Sequence, residues 1–229
     1  MFFGRRDSGN VLFLILIAVS LFAALSYVAT ASFRGVGGDA PSENATITSS
    51  EITQYSGALK NAIMRLLVPN ICDPTEISFE APPFDGSDSD YVNANSPANF
   101  SCHVFHPLGG RVSRRLPPQD SNDGRDWAYV ETRVMGIGPD QTACDTSCHD
   151  ILVVLGGIKK SVCEKINEKM AGTTTIVQQD NGADYEDKKY TGTFNSGADI
   201  DGTGVDGKHE LCIQDTNGVY YYYSVLIPQ

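Results

Sequence analysis

The clearest chemical spacing in the chain runs from Asp199 to Glu210, DIDGTGVDGKHE. A calcium loop of the EF-hand kind takes oxygen ligands from positions 1, 3, 5, 7 and 12, the seventh through a backbone carbonyl, with glycine at 6. Counted from Asp199, those slots hold Asp199, Asp201, Thr203, the Val205 carbonyl and Glu210, with Gly204 sixth. The pattern makes Ca2+ the candidate cofactor. Two features favour the alternative, an acidic turn that binds nothing. Asp206 occupies position 8, where an apolar residue ordinarily joins paired loops. The flanks are Gly/Ser-rich before and strand-like after, not helical.

Cysteine is the second source of chemistry. Cys72, Cys102, Cys144, Cys148, Cys163 and Cys212 make an even number, and in an oxidising compartment they predict three disulfides. Cys144 with Cys148 would close a local loop, and Cys163 with Cys212 would staple a late helix to a terminal hairpin; other pairings stay open. A zinc site drawn from Cys102, His103, His106 and the Cys144/Cys148 pair competes for the same thiols. Cys144-Asp-Thr-Ser-Cys148-His149 is one residue too long for haem attachment. No G-x-S-x-G, H-E-x-x-H or phosphate-loop motif occurs, so the expectation is a protein that is not an enzyme. His103, His106, His149 and His209 are read as surface or packing residues.

The elements that must hold these residues form an α+β pattern. Ile52, Tyr55, Leu59, Ile63 and Leu66 recur at helical spacing up to Pro69, with Ser49 or Ser50 as the cap. Residues 70–126 are rich in Pro, Asp, Asn, Ser and Gly and predict loops with short strands at Glu76–Glu80 and Cys102–Phe105. Strands are expected over Trp127–Met135, Asp150–Leu155 and Thr173–Gln178, with an amphipathic helix at Ile158–Met170 closed by Gly172. Glu210–Gln214, a turn at Asp215–Gly218 and Val219–Ile227 make a hairpin. In such a strand Tyr220–Tyr223 would send two rings inward and two outward, as a contact surface or an ordinary edge.

The 229 residues suffice for one or two domains. Acidic residues outnumber basic ones 28 to 17, a formal net charge of -11, which excludes general nucleic-acid binding. From Val11 to Val28 the chain carries no charge, and with Ala29–Phe33 it reaches the roughly 20 residues that span a bilayer core. Arg5 and Arg6 precede this run and only Arg34 follows, so the short N-terminus is expected inside and the remainder outside. Ala29-Thr30-Ala31 is the small-x-small pattern of a signal-peptide cleavage site, and a secreted binding protein or enzyme cut after Ala31 is the alternative. A second alternative is an uncut single-pass anchor with an adhesive or sensory head.

Arg5-Arg6-Asp7-Ser8-Gly9 followed by Asn10-Val11-Leu12-Phe13-Leu14 resembles a type IV prepilin. Ser101–Phe105, Lys160–Met170 and Val219–Leu226 resemble stretches of a group of alphaproteobacterial pilin-like membrane proteins. The resemblance implies a leader cut by a prepilin peptidase between Gly9 and Asn10. It further implies a helix packed against those of other pilin-like subunits in a filament of the type IV pilus or type II secretion class. Leu14 stands where mature pilins keep Glu, which points to a minor or tip (pseudopilin) subunit. The expected organisation is a basic leader over 1–9, a transmembrane and assembly helix over 10–34 and a Gly-rich linker over 35–41. An exported, disulfide-stapled head over 42–229 would follow, its amphipathic helix packed on an antiparallel sheet. The expected location is a bacterial inner membrane, single-pass with the head periplasmic, or the outside of the cell when assembled in a filament.

Overall fold

A computed structural model describes residues 10–36, 40–69, 71–138, 149–179, 184–194 and 199–229. The chain divides into two units, Met1–Asn44 and Ala45–Gln229. The N-terminal unit is dominated by α1 (Asn10–Val36), 27 residues with no acidic side chain in the first turn. Ser20 returns its hydroxyl to the Ile17 carbonyl at 2.9 Å, so this polar group is satisfied inside the helix.

Helix α2 (Ala40–Leu67) starts earlier than the capping pattern suggests. Pro41 suits a first helical turn, where no amide partner is needed, and Glu43 suits the helix dipole there. Ser49 and Ser50 are not caps. Their hydroxyls bond back to the Thr46 carbonyl at 2.8 and 3.0 Å, and Thr53 and Ser56 do the same to the preceding turn. Side chains engaged in this way no longer compete for the helix amides, so the helix continues through them. Helix α1 includes Gly35 and Val36, and α2 includes Ala40 and Pro41, so both ends of the expected linker are helical.

Five strands form one sheet, β1 (Ala128–Thr132), β2 (Asp150–Gly156), β3 (Val177–Gln178), β4 (Glu210–Gln214) and β5 (Tyr220–Ile227), in the order β1-β2-β5-β4-β3. Four of them pair antiparallel, but β3 runs parallel to β4, so the sheet is mixed rather than antiparallel throughout. Between β2 and β3, α3 (Lys160–Ala171) ends on Gly172 in the left-handed conformation, φ 69°, whose N–H reaches the Glu168 carbonyl. The expected strands at Glu76–Glu80 and Cys102–Phe105 reduce to one parallel bridge, Ser78 to His103, within an irregular layer.

Both faces of the sheet are covered. On one, Ile151, Val153, Leu155 and Tyr222 meet Ile52, Leu59 and Ile63 of α2, Ile166 of α3, and Phe79 and Phe105 of the irregular layer. On the other, Leu152, Val154, Tyr221 and Tyr223 meet Val134, Tyr185, Ile200 and Val205 from loops. This corrects the expectation for the tyrosine run. Strand β5 is central, not an edge, and Tyr221, Tyr222 and Tyr223 are all buried. Double coverage also explains why Ile151–Leu155 is continuously apolar instead of alternating.

Disulfides Cys72–Cys102 and Cys163–Cys212 tie the layers, with Cα separations of 5.8 and 5.3 Å. They close sequence separations of 30 and 49 residues, which in the chain-entropy account stabilise by roughly 3.5–4 kcal/mol each.

Candidate functional site

Helix α1 is the element whose surface demands a partner. Val11–Val28 has a mean hydropathy of 2.7 and none of it is buried within the chain. Phe22 is 75% exposed, Leu25 73% and Leu12 68%. A helix apolar on every side belongs in lipid or among other helices. Its length and composition fit a membrane span, a property shared with a signal sequence. Leu14, 57% exposed, leaves the span without a carboxylate. Asn10 is the first helical residue, and Ala29–Ala31 lie inside the helix. Gly9 lies outside the described residues.

The structure does not gather the proposed calcium ligands. Asp199 pairs with the Arg133 guanidinium. The Asp201 amide donates to Gln179 Oε1 at 2.9 Å, while its Oδ1 is buried without a partner. Thr203 is exposed, and Val205 is a fully buried plug in the core of the loop-covered face. Glu210 opens β4 and turns to the helical face, where Oε1 accepts the Tyr222 hydroxyl at 2.6 Å and Oε2 meets Lys60 at 3.4 Å. The reason is the anchoring of the loop. Ile200 bridges to Val134, and the Gly207 amide donates to the Met135 carbonyl at 2.9 Å. Consecutive turns, with the Val205 amide donating to the Gly202 carbonyl and the Lys208 amide to the Val205 carbonyl, bury Val205 and carry Glu210 to the other face of the sheet. Among the described residues, no group of three or more His, Cys, Asp or Glu side chains is arranged to hold a metal ion.

The cysteine expectations divide. Cys163–Cys212 is the staple between α3 and the hairpin, and Asn167 reinforces it by bonding both the amide and the carbonyl of Cys212 at 2.8 Å. Cys72–Cys102 takes Cys102 away from any zinc site. Cys144 and Cys148, and with them the haem-like spacing, lie outside the described residues.

Two histidines expected at the surface or in packing form buried pairs with carboxylates. His149 Nδ1 lies 2.6 Å from Glu131 Oε2. His103 Nε2 lies 3.3 Å from Glu80 Oε2, and its Nδ1 lies 3.2 Å from Ser96 Oγ. Burial holds the His103 imidazole below the usual histidine range, against the opposing pull of Glu80; in the neutral ring, donation from Nε2 to that carboxylate leaves Nδ1 to accept from Ser96. A hydroxyl, an imidazole and a carboxylate in line invite comparison with a hydrolytic triad. Here the acid sits on Nε2 and the hydroxyl on Nδ1, the reverse of the chymotrypsin arrangement. Glu80 Oε1 is also committed to the Gly86 amide at 2.8 Å, and Phe100 packs on the ring with a centroid separation of 5.0 Å. The arrangement clamps the 80–86 and 96–103 loops together. No sequence pattern announces either pair, because each joins residues that are 18 or more positions apart.

Asp150 at the start of β2 is fully buried and accepts the amides of Val134 and Gln229 at 3.1 and 3.0 Å. Burial pushes its carboxyl up to about 6, and those two amides pull it partly back. It ties the C-terminus to the strand and is the most perturbed carboxylate whose cause is clear. No protein-family description, curated protein or solved structure matches this chain.

Proposed function

We propose that this protein is a pilin-like, pseudopilin-type subunit: α1 anchors it in a membrane and packs against other subunits, and the α+β unit is displayed on the outer side. The observation that carries the proposal is α1 itself, an unbroken helix whose apolar run Val11–Val28 is not buried anywhere within the chain. The Arg5-Arg6 pair and Gly9 immediately before it fit a prepilin leader. Both observed disulfides and every observed strand lie beyond the helix, as an outward-facing unit in an oxidising compartment requires.

Within that class, Leu14 supports a position at a filament end or among minor components. A subunit with Leu14 offers its own N-terminal amine to a neighbour but has no carboxylate for an incoming amine. An unpaired charge in a membrane-like core costs on the order of 2.5–3.5 kcal/mol by insertion scales. The test is intact mass of protein from its native membrane. Cleavage after Gly9 is the expected result. Cleavage after Ala31 would give the secreted alternative, and an uncut chain the simple anchor.

A further inference from the structure

We infer that the groove between α2 and the extended segment Arg111–Leu116 is a docking site for an extended acidic polypeptide segment of a partner protein. The inference does not depend on the pilin-like proposal. Gln54, Ala58, Asn61 and Arg65 follow helical spacing on one face of α2, and Arg111, Ser113 and Arg115 line the opposite wall of a groove of 540 Å³. It continues past Gln54, Tyr55 and Arg115 into a second space of 400 Å³ that ends on Leu116 and Trp127. From Glu51 to Arg65 the helix rises about 21 Å, which accommodates roughly six residues of extended chain.

Charge selects the occupant. No acidic residue lines the larger part of the groove and one, Glu51, lines the smaller, although the chain as a whole carries -11. Arg114, Arg125 and Arg133 are paired with carboxylates, whereas no salt bridge among the described residues reaches Arg65, Arg111 or Arg115, all exposed. Arg65 and Arg111 are held in place by neutral carbonyls instead, those of Gly110 at 2.8 Å and Pro107 at 2.9 Å. Arg111 adopts φ 59°, a left-handed conformation disfavoured for a side chain of its size. The turn before it is tight. A Cβ on Gly109 or Gly110 would lie 2.2 or 2.5 Å from a backbone carbonyl oxygen.

The backbone selects the shape. Along the segment Arg111, Ser113 and Arg115 are exposed while Val112 and Arg114 are half-buried, the two-residue alternation of a strand. The amides of Ser113, Arg114 and Leu116 make no backbone hydrogen bond among the described residues, while the Val112 amide donates to the Val104 carbonyl at 3.2 Å and the Arg115 backbone meets the Tyr55 hydroxyl, so the segment is open only in part. Trp127, only 2% exposed, lines the far end, and its Nε1 donor is without an acceptor. Unpaired strand-like backbone is a template for an added strand, and alternate acidic side chains on that strand would meet Arg111 and Arg115.

The test uses the full chain in lipid nanodiscs and fluorescently labelled peptides that alternate valine with aspartate or valine with lysine. Saturable binding of the aspartate peptide is expected, weakening at least about tenfold in Arg115→Glu and with rising salt. An aspartate peptide methylated on its backbone amides is expected to bind more weakly, because it cannot pair as a strand. No binding of the aspartate peptide, or equal binding of the lysine peptide, would overturn the inference even if the variant failed to fold. Undiminished binding to folded Arg115→Glu, or undiminished binding of the methylated peptide, would overturn it as well.

Discussion

Val11–Val28 and Ile151–Leu155 are both uncharged, continuously apolar runs, and their surroundings are opposite. Every large side chain from Val11 to Val28 is at least 39% exposed, whereas every residue from Ile151 to Leu155 is at 0%. Apolar composition therefore does not say where a segment is buried; its neighbours do. The short run has three β-branched residues in five, sits second in a five-stranded sheet and has its alternate residues covered from both sides. Among the described residues nothing covers the long run, as a membrane span or a signal sequence requires.

Truncation separates the two most sharply. Leu155→Ala removes side-chain volume from a filled core and is expected to lower unfolding stability by roughly 2–5 kcal/mol. Leu16→Ala, at a residue that is 61% exposed, is expected to shift the same transition by less than about 0.5 kcal/mol. Trp127 is the only tryptophan in the chain and lies in the core beside the sheet, so denaturant titration followed by its fluorescence reports on this unit. Equal losses in the two variants would mean that α1 packs within its own chain, and the contrast would collapse.

Acid titration probes a second side of the contrast, since α1 carries no titratable side chain between Val11 and Ser26 while β2 begins with a buried one. Burial raises the Asp150 carboxyl from its ordinary value of 3.8 to about 6 in the folded chain. The folded state therefore holds this proton more tightly than the unfolded one. The contribution to stability is complete below about pH 4 and is lost as pH rises through 6, amounting to at most about 3 kcal/mol at 1.36 kcal/mol per unit. Asp150→Asn loses one of two amide acceptors but cannot titrate. The stability of wild type relative to this variant is expected to fall between pH 4 and 7, as measured by urea unfolding at each pH. A difference independent of pH would show that Asp150 is not the responsible group.

What was legible in the sequence follows from local signals. Glu210–Gln214 is recovered residue for residue, and Val219–Ile227 to within one position, because a turn of Asp, Thr, Asn and Gly separates two β-rich runs. Gly172 marks the end of α3 because its left-handed conformation suits glycine. Failures arise where distant residues decide. Ser49 and Ser50 look like caps until their hydroxyls are seen to bond within the helix. The tyrosines of β5 look half-exposed until loops from residues 134, 185, 200 and 205 cover their second face. Arg111, Arg114 and Arg115 are visible as a basic run, but nothing local separates the paired Arg114 from its two neighbours.

The calcium pattern yields the smallest expected effect. Its twelfth position, Glu210, ordinarily supplies both carboxylate oxygens to the ion. Here those oxygens serve Tyr222 and Lys60 instead, on the helix-covered side of the sheet. The Lys60 pair has side-chain exposures of 29% and 17%, so solvent screening limits it to about 1 kcal/mol or less. Glu210→Gln keeps an acceptor for the Tyr222 hydroxyl and gives up only the ionic part. Its unfolding midpoint is therefore expected within about 1 kcal/mol of wild type. Added Ca2+ is expected to leave both midpoints where they were. A site occupied at a hundred times its dissociation constant would stabilise the folded chain by about 2.7 kcal/mol, well beyond the effect of the substitution. A Ca2+-dependent rise in wild type that is absent from Glu210→Gln would show that the loop rearranges around the ion, overriding the Lys60 and Tyr222 contacts. Without such a rise, Glu210 is a half-buried anchor between α2 and β5, and the spacing from Asp199 to Glu210 reflects turn-forming glycines and aspartates alone.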